Sequence, residues 1–172
     1  LINRTEWVSF IGRKDYLLEN KRYVVVYTLS GSHYIYTLAK KIARKLDAEV
    51  INIKLGFSKV DGDDGIIHIC DAGPQEFISI FNSAVYVITD SFHGTAFSIN
   101  FNIPFTTLLN PASNINSRAL SILKQTGMEE RLIYDDGSNK EPSSLAVDFE
   151  PVNKVIEASR TASLEFLREN LA

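Results

Sequence analysis

The sequence is poor in the residues that build covalent or metal-bound scaffolds. Cys70 is the single cysteine in 172 residues, so no internal disulfide can form and a thiolate-rich structural metal site is excluded, which favours a reducing compartment. Long hydrophobic runs are also missing. The longest purely apolar stretches, such as Val24–Val25–Val26–Tyr27 and Ala84–Val85–Tyr86–Val87–Ile88, have strand length, far below the ~20 residues of a membrane span. Neither sign of charge dominates: 18 Lys and Arg against 21 Asp and Glu leave a formal −3, without the basic footprint of a nucleic-acid binder. Any anionic ligand has to be captured by a few local groups. There is no internal repeat, no low-complexity tract and no basic-then-apolar leader. The chain opens Leu1–Ile2–Asn3–Arg4 without an initiator Met and reads as starting partway through a longer gene. The sequon Asn3–Arg4–Thr5 reads as a chance match.

What is present is one globular domain over residues 1–172, with 45% apolar and 23% charged residues. β-Branched and aromatic runs alternate with amphipathic segments, the pattern of an α/β domain. Strands are expected at Tyr23–Thr28, Glu49–Ile53, Ile66–Cys70, Val85–Thr89 and Pro104–Leu109, with a weaker one at Arg131–Tyr134. Their near-continuous apolar character suits a parallel sheet covered on both faces. Helices fit Thr5–Asn20, His33–Leu46, Pro74–Asn82, Ser91–Asn100, Ser117–Thr126 and Val152–Asn170. Asn3 and Glu6 have capping-box spacing, and Pro74 sits where its missing N–H does no harm. Lys59–Gly65 looks like a calcium loop but lacks the closing glutamate, since position 12 counted from Asp61 is Ala72, and it reads as a solvated turn. Asp135–Ser144 is the expected mobile loop, leading into a C-terminal helix that packs back across the sheet.

Right-handed crossovers then give the strand order 3-2-1-4-5, with a switch point between the first and fourth strands. Ligands of such sheets bind outside the carboxyl ends of the strands at that switch. Two loops are singled out. In the second, Asp90 or Ser91 can cap a helix whose free N–H groups and positive end favour a phosphate or carboxylate. His93 in its first turn can donate to an anion or transfer a proton, or merely satisfy a carbonyl. Gly94 permits close approach of a ligand or of another backbone, and Thr95 follows it. In the first loop, Ser30–Gly31–Ser32 is a second candidate phosphate cradle, without the lysine of a P-loop or a full GxGxxG. His33 faces either the same cleft or solvent, and His68 alternates with Ile67 and Ile69 as a sheet-face residue. Arg118 is placed to hold a carboxylate or phosphate bidentately, or to sit solvated at a helix start. Glu76 either complements its helix dipole or contacts a sugar. With the three histidines on separate elements, no metal site is expected.

The segments Gly73–Pro74–Gln75–Glu76–Phe77, Ala84 to Ile99 with its Thr89–Asp90–Ser91–Phe92–His93–Gly94 block, and Pro104–Phe105 resemble the C-terminal half of the polysaccharide pyruvyl transferase family. Asn3–Arg4–Thr5–Glu6–Trp7, Arg118 and Gly127–Ile133 extend the resemblance over most of the chain. It implies a Rossmann-like open parallel sheet with helices on both faces, one half of a GT-B-like two-domain enzyme whose N-terminal domain is absent from this sequence. The implied reaction moves the enolpyruvyl group of phosphoenolpyruvate onto sugar hydroxyls, giving a pyruvate ketal in exopolysaccharide or cell-envelope glycan synthesis, with no cofactor. His93 matches the family histidine at the start of this helix, while Ser91 stands where some branches carry arginine. The resemblance implies a bacterial, cytoplasmic transferase, with room for peripheral contact with the inner membrane face, and little activity from this half alone. Two alternatives share the fold: a nucleotide-sugar-dependent glycosyltransferase domain and a noncatalytic anion-binding module.

Overall fold

The computed structural model describes residues 4–9, 18, 21–54, 64–113 and 116–171. Six parallel strands form one sheet: β1 (Tyr23–Tyr27), β2 (Glu49–Ile53), β3 (Ile67–Ile69), β4 (Tyr86–Thr89), β5 (Phe105–Leu109) and β6 (Leu132–Tyr134). They lie in the order β3-β2-β1-β4-β5-β6, so β1 and β4 are neighbours and the switch point falls between them, as the crossover rule requires. Tyr23, Val25 and Tyr27 of β1 point to one face, Val24 and Val26 to the other, and all five are buried. Strand β3 is shorter than the apolar run suggests, and just before it the Ile66 amide donates to Asp64 Oδ1 at 3.0 Å.

Six helices flank the sheet: α1 (Arg4–Ser9), α2 (His33–Leu46), α3 (Pro74–Asn82), α4 (Phe92–Phe101), α5 (Ser117–Thr126) and α6 (Glu150–Leu171). Helix α2 covers one face with Ile35, Leu38, Ala39 and Ile42 against Val24, Val26 and Val50. The opposite face packs α3, α4 and α5 around Phe81, Phe101, Phe105 and Leu123, with Trp7 of α1 set edge-on to Phe97 at 5.2 Å. Residues 10–17 and 19–20 of the expected first helix, and Asn3 of its capping box and sequon, lie outside the described residues, as do residues 59–63 of the expected turn; Leu18 stands in a turn, not in the expected helix.

Two expectations need correction. The segment Asp135–Ser144 is a strap tied to α2. The Tyr34 hydroxyl donates to Lys140 O, Lys41 and Lys45 pair with Glu141 at 3.1 and 2.8 Å, and buried Arg131 donates to Ser144 O at 2.9 Å. Hydrogen bonds from Lys45 and then Lys41 hold the Glu141 carboxyl below the usual glutamate range, which keeps it charged as the anchor. Helix α6, expected to pack along its length, is buried only at Val152, with Ile156 partly covered, whereas residues 161–171 are exposed throughout.

Candidate functional site

The register between β1 and β4 ends at the pair Tyr27 and Thr89, so Thr28 and Asp90 leave the sheet side by side. The Asp90 carboxylate takes up the first loop. Its Oδ2 accepts from Thr28 Oγ1 at 2.7 Å, from Ser30 N at 2.9 Å and from the Ser30 hydroxyl, while Oδ1 accepts from Leu29 N at 2.7 Å. The Gly31 amide donates to Thr28 Oγ1 at 3.0 Å and the Ser32 amide to Ser30 Oγ at 3.4 Å. Gly31 holds φ at +65°, a conformation that costs a side chain and suits glycine. Every amide from Leu29 to Ser32 therefore has an acceptor inside the protein. The expected phosphate cradle at Ser30–Gly31–Ser32 is corrected accordingly: its donors are turned onto Asp90 and onto each other. Ser32 Oγ caps α2 by accepting from Tyr34 N at 3.2 Å and donates to Asp135 of the strap.

Of the two candidate caps, Ser91 is the one used. Its Oγ accepts from His93 N at 3.2 Å, its amide donates to Thr89 Oγ1 at 3.0 Å, and its carbonyl accepts from Thr95 N at 3.0 Å and Thr95 Oγ1 at 3.1 Å. Gly94 and Thr95, expected at the ligand, turn to the sheet instead. A Cβ on Gly94 would stand 2.2 Å from Thr89 Oγ1, and fully buried Thr95 meets Thr107 Oγ1 at 2.9 Å. Beneath them, burial holds the Tyr27 phenol above its ordinary range, with the Ser91 hydrogen bond opposing and the Asp90 charge adding.

The groups left facing solvent are His93 and Arg118. The exposed imidazole touches the Phe92 ring at 5.4 Å and 67°, and the Arg118 guanidinium lies 5.2 Å from the centre of the same ring. Neither side chain makes an ion pair or hydrogen bond with a described residue. Phe92 thus gathers two cation-capable groups at the positive end of α4, a cation–π contact holding one of them. The sequence reading gave Phe92 no role; a half-exposed aromatic beside a first-turn histidine is the signal that marks it. Glu76 Oε2 lies 2.7 Å from where a Gly73 Cβ would stand, so the carboxylate folds back over the start of its own helix. His33 is exposed at the α2 start, and His68 lies on the sheet face between Asn52 and Asp64 at 3.2 and 3.3 Å. Among the described residues no three His, Cys, Asp or Glu side chains gather as a metal site requires, and no helix is long and apolar enough to cross a membrane.

Converting Asp90 to asparagine replaces one acceptor oxygen with a donor facing donors. The expected result is a loss of about 2 kcal/mol, the scale of a charge-assisted hydrogen bond, with faster hydrogen exchange at Leu29 and Ser30. Unchanged exchange there would show that the carboxylate does not hold the loop.

An open parallel sheet with an anion-suited helix start at its switch point defines a Rossmann-like α/β fold. The glycosyltransferase SnogD from Streptomyces nogalater matches with a TM-score of 0.54 at 12% identity, over 87% of this chain and 41% of that one. The E. coli ADP-heptose lps heptosyltransferase II matches at 0.46 and 14%, over 96% and 53%, and the UDP-GlcNAc 2-epimerase from Methanocaldococcus jannaschii at 0.44 and 12%, over 88% and 40%. At these identities the likeness is of fold, and of the three only the SnogD match is strong enough to support it. The chain spans between 40 and 53% of the length of these structures. No curated protein matches it in sequence. The family described as Polysaccharide pyruvyl transferase matches residues 3–111, more than half of the chain and both loops of the site, and the chain belongs to that family of transferases. Arg118 lies beyond the matched residues.

Proposed function

We propose that this chain is the donor-binding half of a transferase that moves the enolpyruvyl group of phosphoenolpyruvate onto two hydroxyls of a sugar. The reading rests on family membership and, in the geometry, on one observation: His93 and Arg118 meet on Phe92 at the start of α4 with no carboxylate partner among the described residues. Phosphoenolpyruvate brings a phosphate and a carboxylate to be neutralised. In the reaction two C–O bonds form from sugar hydroxyls to C2 and the C2–O bond to phosphate breaks. One hydroxyl proton ends on C3, making a methyl group, and the other leaves with phosphate. Charge placed where the phosphate departs favours that step. Arg118 holds the anion as a fork of donors, and His93 donates to the leaving phosphate or passes the proton. Ser91, committed to its cap, adds no charge, so the remaining neutralisation falls to a second domain facing this edge. The product would be a pyruvylated exopolysaccharide or cell-envelope glycan, made in the bacterial cytoplasm or at the inner face of its membrane.

Calorimetric titration of the chain tests the donor. Phosphoenolpyruvate is expected to bind, and Arg118→Ala to weaken it about tenfold, the equivalent of one charged contact. Binding of a UDP- or ADP-sugar with none of phosphoenolpyruvate would overturn the reading in favour of a glycosyltransferase domain.

A further inference from the structure

A second cavity opens at the same sheet edge, on the far side of the Thr28–Gly31 loop from His93. Its volume is about 270 Å³ and its walls are Thr28, Leu29, Ser30, Gly31, Tyr36, Asn52 and Lys54. That is a little under the ~300 Å³ at which pockets for drug-sized ligands begin, and it suits a single ring. Asn52 is the unusual member. It is a polar residue fully buried in β2, on the face that the rest of the strand's neighbours fill with Val24, Val26 and Val50. Its Nδ2 reaches the Tyr36 hydroxyl at 3.3 Å and His68 Nδ1 at 3.2 Å, but Oδ1 has no partner. Buried polar atoms in native structures are almost always paired, so an orphan at a cavity wall points to a ligand. Around it, the Lys54 ammonium makes no ion pair with a described residue, and the Tyr36 hydroxyl accepts from Asn52 Nδ2 and donates to no described residue.

One acceptor and two donors around a single-ring space match neighbouring hydroxyls, each of which both gives and takes a hydrogen bond. A multiply charged anion fits less well, because the Asp90 and Asp64 charges both reach Tyr36 and Lys54 is the single cation among the lining residues. We propose that this cavity seats a neutral sugar ring of the acceptor. In it, Asn52 Oδ1 accepts from one hydroxyl while Lys54 Nζ and Tyr36 Oη donate to its neighbours. The assignment rests on the pyruvyl transfer reading and adds the place of the second substrate. Lys54 directly follows β2 and Asp90 directly follows β4, on either side of β1, so the cavity and the start of α4 lie at the same edge of the sheet with the Thr28–Gly31 loop between them. Asp90, by holding the loop between them, acts as a positioning residue for both.

Amide-correlated NMR on the chain tests this with methyl β-galactoside, methyl β-glucoside and N-acetylmannosamine as probes, each titrated without phosphoenolpyruvate. At least one is expected to shift the Asn52 side-chain amide and the Lys54 and Gly31 signals with millimolar affinity. Lys54→Ala and Tyr36→Phe, both mild on folding, are each expected to weaken it about tenfold and to leave phosphoenolpyruvate binding unchanged. No shift with any probe overturns the proposal, as does binding indifferent to both variants. Loss of phosphoenolpyruvate binding in Lys54→Ala would also overturn it, by assigning the cavity to the donor. If a sugar binds through Lys54 while phosphoenolpyruvate does not bind at all, the donor reading fails and the sugar cavity stands.

Discussion

Gly94→Ala is expected to destabilise the protein by about 3 kcal/mol, the upper end for overpacking a close-packed site. A glycine inside a helix ordinarily gains about 1 kcal/mol on becoming alanine, so the sign of the effect is decided by space. A Cβ at this position meets three Thr89 atoms, Oγ1 at 2.2 Å, Cβ at 2.8 Å and Cγ2 at 2.9 Å. Thr89 cannot rotate away cheaply. Its Oγ1 donates to Tyr27 O at 2.6 Å and accepts from the Ser91 amide, and the residue is fully buried. Thermal unfolding should show a midpoint roughly 6–12 °C lower for a chain of this size. The cost should shrink in a Thr89→Ala background, since removing Oγ1 and Cγ2 leaves only the Cβ contact; equal costs in both backgrounds would mean that the strain lies elsewhere. The same close approach sets α4 low on the sheet, and so sets where its first turn presents His93.

His93→Ala is expected to reduce turnover of phosphoenolpyruvate-dependent pyruvyl transfer by the full-length protein by roughly 10²-fold or more, the range for a positioned proton-transfer group. Its ring is exposed and makes no ion pair or hydrogen bond with a described residue, so stability should move by no more than about 0.5 kcal/mol. His93→Gln separates the two roles, because glutamine can donate a hydrogen bond to phosphate but cannot pass a proton near neutral pH. Recovery of most activity in the glutamine variant assigns His93 to anion binding, and failure to recover assigns it to proton transfer. Unchanged turnover in the alanine variant removes it from the mechanism.

The fold was legible because its signals are local. Continuous apolar runs mark strands buried on both faces, and Pro74 opens its helix where the sequence placed it. The switch point followed from strand order alone. The site was legible only in outline. Asp90 and Ser91 are equally good caps by composition, and what chooses between them is a set of bonds from Asp90 to Thr28, Leu29 and Ser30, some 60 residues away in sequence. Those bonds also undo the cradle that small residues at a strand-to-helix turn suggest. Gly94 fitted either a ligand or another element, and only the Thr89 contact decides. The C-terminal helix was expected to pack back across the sheet, yet Leu164, Leu167 and Leu171 of α6 stay 42, 47 and 79% exposed because the core they would meet ends at Ile156.

The bonds from Asp90 also fix when the first loop can become ordered during folding. They bridge 60 to 62 residues of sequence, and they need β1 already paired with β4, a contact made after β2, β3 and the helices between them are laid down in the chain. Closing so long a loop carries an entropic penalty that local contacts do not offset, so such links form late. A chain in which β1 and β4 have not yet paired would hold helical segments while the Thr28–Ser32 loop, and the cavity it walls, stay unformed. Acquisition of ligand affinity would therefore lag behind acquisition of helical content as the chain folds.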